Sequence, residues 1–543
     1  MDLASFSSGK GMVVSTDRFA SQTGIEILKS GGNAVDAAVG IAFTMAVSYP
    51  SCGNIGGSGA MLYYGSDGTV STFNFRSKAP MAATPDMFSD KNGKVQGGAE
   101  PEGILTIGIP GTVAGMQLAH RKLGKLSWKT LIAPAIELAE DGLVINQRLY
   151  DELKQNEKEL RKYPSSTKVF FKKDGELHQK GDLFVQHDLA QTLKRIQLYD
   201  AEDFYCGEIA KRIVNFMEEN DGIITAKDLK GYSVMEHEPL HGTYRGFDIY
   251  TVGPPNSGIT LLEMFNILEG YDFRRIGHNT SEYLHILTEV MRLSQLDRIK
   301  YTGDPEYVEA LPLNKLLLKE YASALRGRID PLKASESKLD EVESFEEKRE
   351  TTHFSVVDQE GNVASVTYTL NGDFGSYIVA EGTGVLLNND MIDFDTAKPN
   401  LIEPGKRPRS SMIPTVISKE KKPVLVLGSP GGSIIPSVIM QIAINFIDYG
   451  MSLEEAVSAG RVYRAWMPDI TLVEKESIAS EDLRRYMEMG HKIYDEKIAK
   501  MNNAPYRDPQ LGTTMCIYID QVKKTYCGVA DPRSGDPSAF GIS

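Results

Sequence analysis

Cysteine and histidine are scarce in this chain of 543 residues, which contains four cysteines and nine histidines. Cys52, Cys206, Cys516 and Cys527 are widely spaced and form no CxxC pair, so we expect reduced thiols rather than a disulfide framework. The histidines show no HExxH motif and no paired-ligand spacing. The sequence therefore predicts neither a metal site nor a bound cofactor.

Acidic residues outnumber basic ones, and long apolar runs are also lacking. The chain has 59 Lys and Arg against 73 Asp and Glu, a net charge of −14, and both nucleic acids and anionic membranes need a basic footprint. The longest apolar stretch, 434–447, is interrupted by polar residues and is shorter than the ~20 residues that cross a bilayer. Because the N-terminus lacks the apolar core of a signal peptide, we expect a cytoplasmic protein without a membrane or nucleic-acid partner.

With 41% hydrophobic and 24% charged residues, the composition is that of an ordinary globular protein. The length suggests two or more packed units, although large α/β layers can form one continuous body. Periodicity and turn signals predict helices at 17–29 and 34–47 and strands at 61–64 and 70–75. The stretch 143–328 is mostly amphipathic helix, with strand-like breaks near Phe170 and Tyr250.

Thr351 stands at the head of an apolar strand, directly after 336–350, a charged run that indicates a solvated linker. Threonine is a poor nucleophile unless a base lies beside it. One way to supply that base is to make the threonine a new N-terminus, whose own α-amine accepts the hydroxyl proton. We therefore interpret the chain as a precursor that cleaves itself between Glu350 and Thr351.

The residues after Thr351 predict a hairpin, with strands at 353–358 and 363–369 around a turn. A hairpin centred near residue 360 pairs positions that sum to about 720, so Thr351 faces Thr369 to within one register step. Thr369 can then orient the hydroxyl or amine of Thr351 by hydrogen bonding. Local evidence alone favours the plainer interpretation, that both threonines are strand formers.

A glycine-rich loop at 428–433 follows a predicted strand and opens a predicted helix that ends near Tyr449. Consecutive glycines there expose backbone N–H groups beside the positive end of a helix dipole, which suits an oxyanion. A tight turn that merely relieves strain explains the loop equally well. Nucleotide binding is a weaker alternative, because no GKS or GKT follows and the loop at 53–59 does not match GxGxxG.

Ordered motifs span nearly the full length, at 19–21, 31–38, 53–59, 75–80, 110–115, 350–357, 367–371, 386–389, 407–412, 428–433 and 530–533. With them the chain resembles the γ-glutamyltranspeptidase family of N-terminal-nucleophile hydrolases, also called glutathione hydrolases. The resemblance implies an α/β (α+β) fold, a four-layer αββα sandwich with additional helices from the large fragment. It also implies a self-cleaved heterodimer of fragments 1–350 and 351–543 that share one core.

The same resemblance assigns catalytic roles. It implies that Thr351 is the nucleophile, that its released amine is the base, and that Thr369 hydrogen-bonds the nucleophile. A free α-amine has a pKa of about 7.7–8.0, so a modest depression leaves it neutral at pH 7. The backbone amides of Gly431 and Gly432 match the oxyanion hole of the family.

Substrate contacts are assigned in the same way, as a clamp for the zwitterionic end of a γ-glutamyl group. Arg76, Ser410 and Ser411 match residues that bind the α-carboxylate, and Asn371, Asp390 and Asp393 match residues around the α-amino group. Asp390 stands where relatives carry a longer Glu or Gln. Its shorter reach leaves open whether it contacts the amine.

Two departures from the family bear on function. Only 395–406 lies between Phe394 and Arg407, whereas many bacterial relatives have a longer lid there. A lidless site admits water and bulky acyl groups, which favours hydrolysis over transfer, or an acyl group other than γ-glutamyl. In addition, the glycine loop continues as Ser58-Gly59-Ala60, without the aromatic residue common in relatives.

The sequence thus predicts an enzyme that takes a glutathione-like donor and passes its γ-glutamyl group to water or an amino acid. One alternative is a related amidohydrolase for another acyl donor, of the glutaryl-cephalosporin or oxamate type. Another is an unprocessed, inactive homologue that acts as a binding protein.

Overall fold

The computed structural model describes residues 4–89, 102–308, 311–338, 351–474, 478–501, 509–534 and 536–542. In chain order the strands are β1 (Ala4–Ser8), β2 (Met12–Ser15), β3 (Ser58–Tyr64), β4 (Val70–Phe75), β5 (Leu143–Val144), β6 (Leu183–Phe184), β7 (Met235–His237), β8 (Leu240–Tyr244), β9 (Phe247–Thr251), β10 (Thr352–Val357), β11 (Val363–Thr369), β12 (Val379–Ala380), β13 (Val385–Leu386), β14 (Thr415–Lys419), β15 (Lys422–Leu427), β16 (Val462–Arg464), β17 (Thr471–Val473), β18 (Met515–Asp520), β19 (Thr525–Ala530) and β20 (Ser538–Gly541).

The helices of the described residues are α1 (Arg18–Lys29), α2 (Ala34–Ser48), α3 (Thr112–Leu123), α4 (Trp128–Asp141), α5 (Gln147–Gln155), α6 (Glu157–Leu160), α7 (Pro164–Phe170), α8 (His187–Cys206), α9 (Glu208–Glu219), α10 (Ala226–Lys230), α11 (Gly258–Leu268), α12 (Phe273–Ile276), α13 (Ser281–Tyr301), α14 (Leu313–Leu316), α15 (Lys319–Arg326), α16 (Ile435–Ile447), α17 (Leu453–Ser458), α18 (Ser480–Glu488) and α19 (Glu496–Met501). Short 3-10 turns lie at Ile104–Thr106, Asp390–Asp393 and Gly432–Ile434.

Two seven-stranded sheets form the centre of the molecule, and every neighbouring pair of strands in them is antiparallel. The first sheet has the order β20-β2-β10-β11-β3-β4-β7, and the second has the order β1-β19-β18-β15-β14-β9-β8. Both sheets contain strands from before and after Thr351. Residues 1–350 and 351–543 therefore contribute to the same sheets rather than forming two separate ones.

The sheets face each other across an apolar layer that includes Met12, Leu62, Val357, Val416 and Ile517. Helices α1, α2 and α3 pack on the outer face of the first sheet, with α4 behind α2, and α11 and α17 contact the second sheet, with α13 and α16 packed against α11. Each sheet buries one apolar face on the other sheet and the opposite face under helices, as layered folds require. The predicted four-layer αββα sandwich is confirmed.

Local sequence signals fix the first elements. Asp17 caps α1 by accepting a hydrogen bond from the Ala20 N–H, and Asn33 forms a capping box with Asp36 at the start of α2. Both predicted helices are present, and none of the four cysteines forms a disulfide. None of the described helices is long and apolar enough to cross a bilayer.

The strand-like break predicted around Phe170 is limited to an isolated antiparallel bridge between Phe171 and Leu177, whereas Tyr250 lies in β9 as predicted. Phe170 is the last residue of α7, and Pro164 occupies the first turn of that helix. Proline at this position is already fixed near helical φ, and its missing N–H is one that the helix does not use.

The hairpin of β10 and β11 has the predicted register. Thr352 pairs with Tyr368 and His353 with Thr367, so that paired residue numbers sum to 720. Thr351 lies one step before β10 and opposite Thr369. Glu350, the other half of the predicted cleavage site, lies outside the described residues, as does most of the linker.

Candidate active site

Thr351 is 6% exposed and lies at the wall between two cavities. The first, here called the charged pocket, has a volume of about 20 Å³ and is lined by Arg76, Thr351, Thr369, Asn371, Asp393, Ser410, Ser411, Met412, Gly432 and Ile435. The second, here called the open pocket, has about 310 Å³ and is lined by Tyr49, Thr351, Pro430, Gly431, Ile434, Gln510, Gly512, Thr513, Arg533 and Ser534. The nucleophile predicted from the sequence therefore reaches both.

Most of the residues assigned from the sequence meet in the charged pocket, although they come from distant parts of the chain. Thr369 ends β11, Asn371 and Asp393 follow it in the same fragment, and Arg76 follows β4. Gly432 faces this pocket, whereas Gly431 faces the open pocket. The two glycines thus bracket Thr351 from the second sheet.

Arg76 is the electrostatic centre of the charged pocket and is 1% exposed. Its Nη1 donates to Asp390 Oδ1 at 2.8 Å and to Ser58 Oγ at 3.1 Å. Its Nη2 donates to the carboxylate of Asp393. The Arg76 backbone N–H donates to Asn74 Oδ1 at 3.0 Å, which fixes where the side chain starts. A buried arginine between two carboxylates keeps its charge and its orientation.

Asp390 lies behind Arg76, seen from the pocket. It is fully buried, lines neither cavity, and accepts a 2.5 Å hydrogen bond from Ser58 Oγ. A carboxylate in this position acts on the pocket through the guanidinium of Arg76. Sequence reasoning missed the role of Ser58: it noted Asp390 as shorter than the residue of relatives, but in the glycine loop it noted only the missing aromatic residue at Ala60.

Asn371 links the nucleophile side of the pocket to its acidic side. Its Nδ2 donates to Asp393 Oδ1 at 2.9 Å, and its backbone N–H donates to Thr369 Oγ1 at 2.7 Å. Asn371 has a φ of 79°, in the left-handed region that asparagine tolerates better than most residues. This backbone conformation aims the side chain at Asp393.

Ser410 and Ser411 close the other side of the pocket. Ser410 Oγ accepts from the Met412 N–H at 3.2 Å, and Ser411 Oγ accepts from Arg298 Nη2 at 2.8 Å. Arg298 lies in α13, is 4% exposed, and also donates to Ser257 Oγ at 2.7 Å. Nothing in the local sequence of α13 singled out Arg298. Its contribution appears only when α13 packs against α11 and β16.

The glycine loop follows β15 and leads into α16. Gly431 has a φ of 131° and Gly432 a φ of 60°, conformations that residues with a side chain rarely adopt. No acceptor in the described part of the chain receives a hydrogen bond from either backbone N–H. Two such donors beside the nucleophile, at the start of a helix, form an arrangement that can bind an oxyanion.

Arg533 is the only arginine among the residues that line the open pocket, and its donors point away from it. Nε and Nη2 donate to Glu474 at 2.8 and 2.6 Å, Nη1 donates to Asp531 at 3.0 Å, and the carbonyls of Val457 and Ala459 accept at 3.1 Å. Because a guanidinium has five N–H donors, this set saturates it. Among the described residues, the wall of the open pocket is polar and leaves no guanidinium donor facing the cavity.

Asp531 supports that wall from behind. It is fully buried and accepts from Arg461 Nη2 at 2.6 Å and from the Thr514 N–H at 3.1 Å. Burial opposes its charge, but the guanidinium groups of Arg461 and Arg533 outweigh burial and hold the pKa of this carboxyl below its usual value. Sequence reasoning quoted 530–533 as a motif without giving it a role.

His353 takes no part in either pocket. It is fully buried in β10, where Nδ1 lies 2.8 Å from Thr367 Oγ1 and Nε2 lies 3.1 Å from Ser355 Oγ. Burial lowers the pKa of this imidazole to about 3, so it is neutral at pH 7. Among the described residues, no group of three or more His, Cys, Asp or Glu side chains is arranged to hold a metal ion.

Comparisons with known proteins agree with this geometry. A sequence model described as Gamma-glutamyltranspeptidase matches residues 20–540. The chain is 42% identical to the glutathione hydrolase proenzyme of Pseudomonas sp. (strain A14), over 89% of this chain and 86% of that protein. It is 39% identical to the glutathione hydrolase proenzyme of Escherichia coli (strain K12), over 98% and 92%. The crystal structure of cephalosporin acylase from Bacillus halodurans matches with a TM-score of 0.88 at 26% identity, over 100% of this chain and 97% of that one. The chain therefore belongs to the gamma-glutamyltranspeptidase family.

Proposed function

We propose that this protein is a self-processing enzyme that cleaves γ-glutamyl amide bonds in glutathione-like donors and transfers the γ-glutamyl group to water or an amino acid. The observation that carries the proposal is the position of Thr351. It lies between a pocket lined by charged side chains and a glycine loop whose two backbone N–H groups donate to no acceptor among the described residues.

In the maturation step, Thr351 Oγ attacks the carbonyl carbon of residue 350. An N-to-O acyl shift converts that peptide bond into an ester, and water then hydrolyses the ester to release the Thr351 amine. Both fragments supply strands to both sheets, so they stay together after the cut as a heterodimer. Cleavage creates the base that turnover needs.

In turnover, Thr351 Oγ attacks the γ-amide carbon of the donor while its α-amine accepts the hydroxyl proton. The Gly431 and Gly432 N–H groups stabilise the oxyanion of the tetrahedral intermediate. The protonated amine then passes its proton to the departing nitrogen, which leaves through the open pocket. Water or an amino acid attacks the ester of the acyl-enzyme and restores the free threonine. Because the open pocket has about 310 Å³ of space beside Thr351, water reaches this ester readily, and we expect hydrolysis to dominate.

Two variants test the role of Thr351. Wild-type protein should give two bands on a denaturing gel, and N-terminal sequencing of the smaller should begin at Thr351. Thr351→Ala should give one band at 59.9 kDa and release no product from γ-glutamyl-4-nitroanilide. Thr351→Ser keeps a hydroxyl and should retain part of both activities. An uncut protein that still turns over the donor would refute the proposal.

A second candidate is an acylase for donors without an α-amine. The full-length likeness to a cephalosporin acylase supports it. Against it, Asn371 and Asp393 supply carboxylate and amide oxygens to the pocket where an ammonium group would lie. Comparing γ-glutamyl with glutaryl anilides separates the two candidates, because glutaryl lacks only the amine.

A further inference from the structure

The two glycines beside Thr351 do not by themselves fix the direction of their N–H groups. Gly431 has a φ of 131° and Gly432 a φ of 60°, and a glycine reaches many other backbone conformations at little cost. An oxyanion site is effective only when its donors already point to where the negative charge develops. The direction of these two N–H groups therefore has to be set by the residues on either side of them.

The chain before the glycines is held by the end of the second sheet. The Gly428 carbonyl accepts from the Met515 N–H at 3.2 Å, where β15 ends beside β18. Ser429 Oγ donates to the Pro430 carbonyl at 2.6 Å, and the ring of Pro430 restricts its own φ. The backbone is thus fixed up to the residue before the first glycine.

The chain after the glycines is held at Ser433, which directly follows Gly432. Tyr463 Oη donates to Ser433 Oγ at 2.9 Å, and Gln295 Nε2 donates to the Ser433 carbonyl at 3.0 Å. Tyr463 is 6% exposed and Gln295 is 2% exposed. Because Tyr463 belongs to β16 and Gln295 to α13, two elements outside the loop bind the same residue through different groups.

Both of these elements are themselves fixed. Gln441 of α16 binds the backbone of Val462, the residue before the tyrosine: its Nε2 donates to the carbonyl and its Oε1 accepts from the N–H, both at 3.0 Å. On α13, Gln295 lies three residues before Arg298, whose Nη2 donates to Ser411 Oγ at 2.8 Å. Residues three apart lie on the same side of a helix. One side of α13 therefore holds both the glycine loop and a wall of the charged pocket.

We propose that Tyr463 and Gln295 are positioning residues for the oxyanion and that they act through Ser433. By holding Ser433, they keep the Gly431 and Gly432 N–H groups directed at the carbon that the nucleophile attacks. Tyr463 and Gln295 are not among the residues that line the charged pocket or the open pocket, so they do not contact the donor. This inference rests on the proposed function, because it assumes that turnover passes through a tetrahedral oxyanion.

A positioning role of this kind should lower kcat and leave KM unchanged. The oxyanion exists in the tetrahedral intermediate and not in the bound donor, so misdirected N–H groups raise the barrier without weakening donor binding. Tyr463→Phe removes one hydroxyl and should lower kcat for γ-glutamyl-4-nitroanilide about 10-fold, with KM within about 2-fold. Gln295→Met, which removes the donor to the Ser433 carbonyl, should have an effect of the same kind.

A double-mutant cycle shows whether Tyr463 acts through Ser433. Ser433→Ala removes the acceptor of the same hydrogen bond and should lower kcat about as much as Tyr463→Phe. The double variant should be no slower than the poorer single variant, because the bond is already lost. Tyr244→Phe is the matched control: Tyr244 is fully buried, donates to Asp448 at 2.8 Å and lines neither pocket. Its kcat should stay within about 2-fold of the wild type.

The measurement is nitroaniline release at pH 7, with kcat expressed per mole of processed small fragment so that slow maturation does not count as slow turnover. A lower kcat at constant KM in Tyr463→Phe, with no further loss on adding Ser433→Ala, supports the proposal. It is overturned if Tyr463→Phe raises KM at constant kcat, if its kcat equals that of Tyr244→Phe, or if the two losses multiply. If Tyr463→Phe does not mature, the kcat and KM of Ser433→Ala and Gln295→Met decide by the same criteria.

Glutaryl-4-nitroanilide serves as a second donor throughout. If the wild type cleaves only this anilide, γ-glutamyl transfer is refuted as the function, and the same cycle on the glutaryl donor still decides the role of Tyr463. If the wild type cleaves neither anilide, the proposed function and the positioning role both fail.

Discussion

The two pockets beside Thr351 treat charge in opposite ways. The charged pocket has about 20 Å³ of space and an arginine that shares one of its two carboxylate partners with the cavity. The open pocket has about 310 Å³, and all five N–H donors of its arginine, Arg533, are hydrogen-bonded to protein acceptors behind the wall. Arg76 thus presents charge to the cavity on one side of Thr351, whereas Arg533 stabilises the protein around the cavity on the other side. We therefore expect selectivity for charge on the side of the acyl group.

Changing Arg76 gives the largest effect that this comparison predicts. Arg76→Lys keeps the charge but cannot reach Asp390 and Asp393 together, because an ammonium is a point charge and not a fork. We expect kcat/KM for γ-glutamyl-4-nitroanilide to fall by roughly 100- to 1,000-fold, since one buried carboxylate loses its partner. Nitroaniline release and a denaturing gel measure turnover and processing in the same preparation.

Arg484→Lys is the matched control for Arg76→Lys, because the Arg484 side chain is 56% exposed and its ion pairs with described residues are to Glu481 and Glu488 of its own helix. Its activity should match the wild type. If Arg76→Lys also kept wild-type kcat/KM, the conclusion that the charged pocket selects for charge and the open pocket does not would be contradicted.

Asp531 tests the opposite side, where the expected loss is in stability and not in selectivity. Asp531→Asn should lower the free energy of unfolding at pH 7 by about 3 kcal/mol, because Arg461 and Arg533 lose their shared charged acceptor. The Thr351→Ala background keeps the protein as one chain, so that urea unfolding reports one transition. Thr514→Val, which removes only one hydroxyl donor to Asp531, should cost about 1 kcal/mol.

The stability lost in Asp531→Asn should depend on pH in one direction. The pKa of Asp531 is lower in the folded protein than its usual value, so its stabilising contribution is present above the unfolded pKa of about 3.9. The contribution disappears as pH falls through the folded pKa. The gap in urea midpoint between Asp531→Asn and its parent should therefore be wide at pH 7 and narrow below about pH 4. A gap that widens on acidification would contradict the charged role of Asp531.

How much of this site could be predicted depended on whether the determining contacts were local. Thr351 lies opposite Thr369 because of the turn between β10 and β11. Both the alternation of side chains and the register of this hairpin are determined by a segment of about 20 residues. Capping of α2 by Asn33 is local in the same sense. The charge-bearing clamp needed a family resemblance, since its members lie on segments from 76 to 411.

What could not be predicted were contacts between side chains far apart in the sequence. Asp390 looked like an isolated departure and Ser58 was given no role, and only folding brings their side-chain oxygens to 2.5 Å from each other. The saturation of Arg533 depends on Glu474 and on carbonyl groups of residues 457 and 459, which no local pattern connects. Partner choice for a buried charge is decided by packing, and a sequence shows the charge without the partner.

Ser58→Ala tests the fixed end of the Arg76 network and should give a moderate effect. Without the hydroxyl, Asp390 Oδ2 loses its donor, and Arg76 Nη1 loses one acceptor. We expect KM for γ-glutamyl-4-nitroanilide to rise about 5- to 10-fold, with kcat within about 2-fold, because the change loosens Arg76 without touching Thr351. Ser71→Ala in β4, a strand serine that lines neither pocket, is the control. A fall in kcat at constant KM would place Ser58 in the chemistry instead of in positioning.

The smallest expected effect is on the leaving-group side, where a charge on the departing part of the donor should matter little. The positive charges of Arg461 and Arg533 are matched by Asp531 and Glu474, and Arg533 has no donor left for a ligand carboxylate. KM values for γ-glutamylglycine and γ-glutamylglycinamide should therefore agree within about 3-fold, and salt should change their ratio little. Release of glycine or glycinamide measures both. A KM at least 10-fold lower for γ-glutamylglycine would mean that a cation contacts the carboxylate of the leaving group. The two pockets beside Thr351 would then differ in volume, but both would bind charged groups.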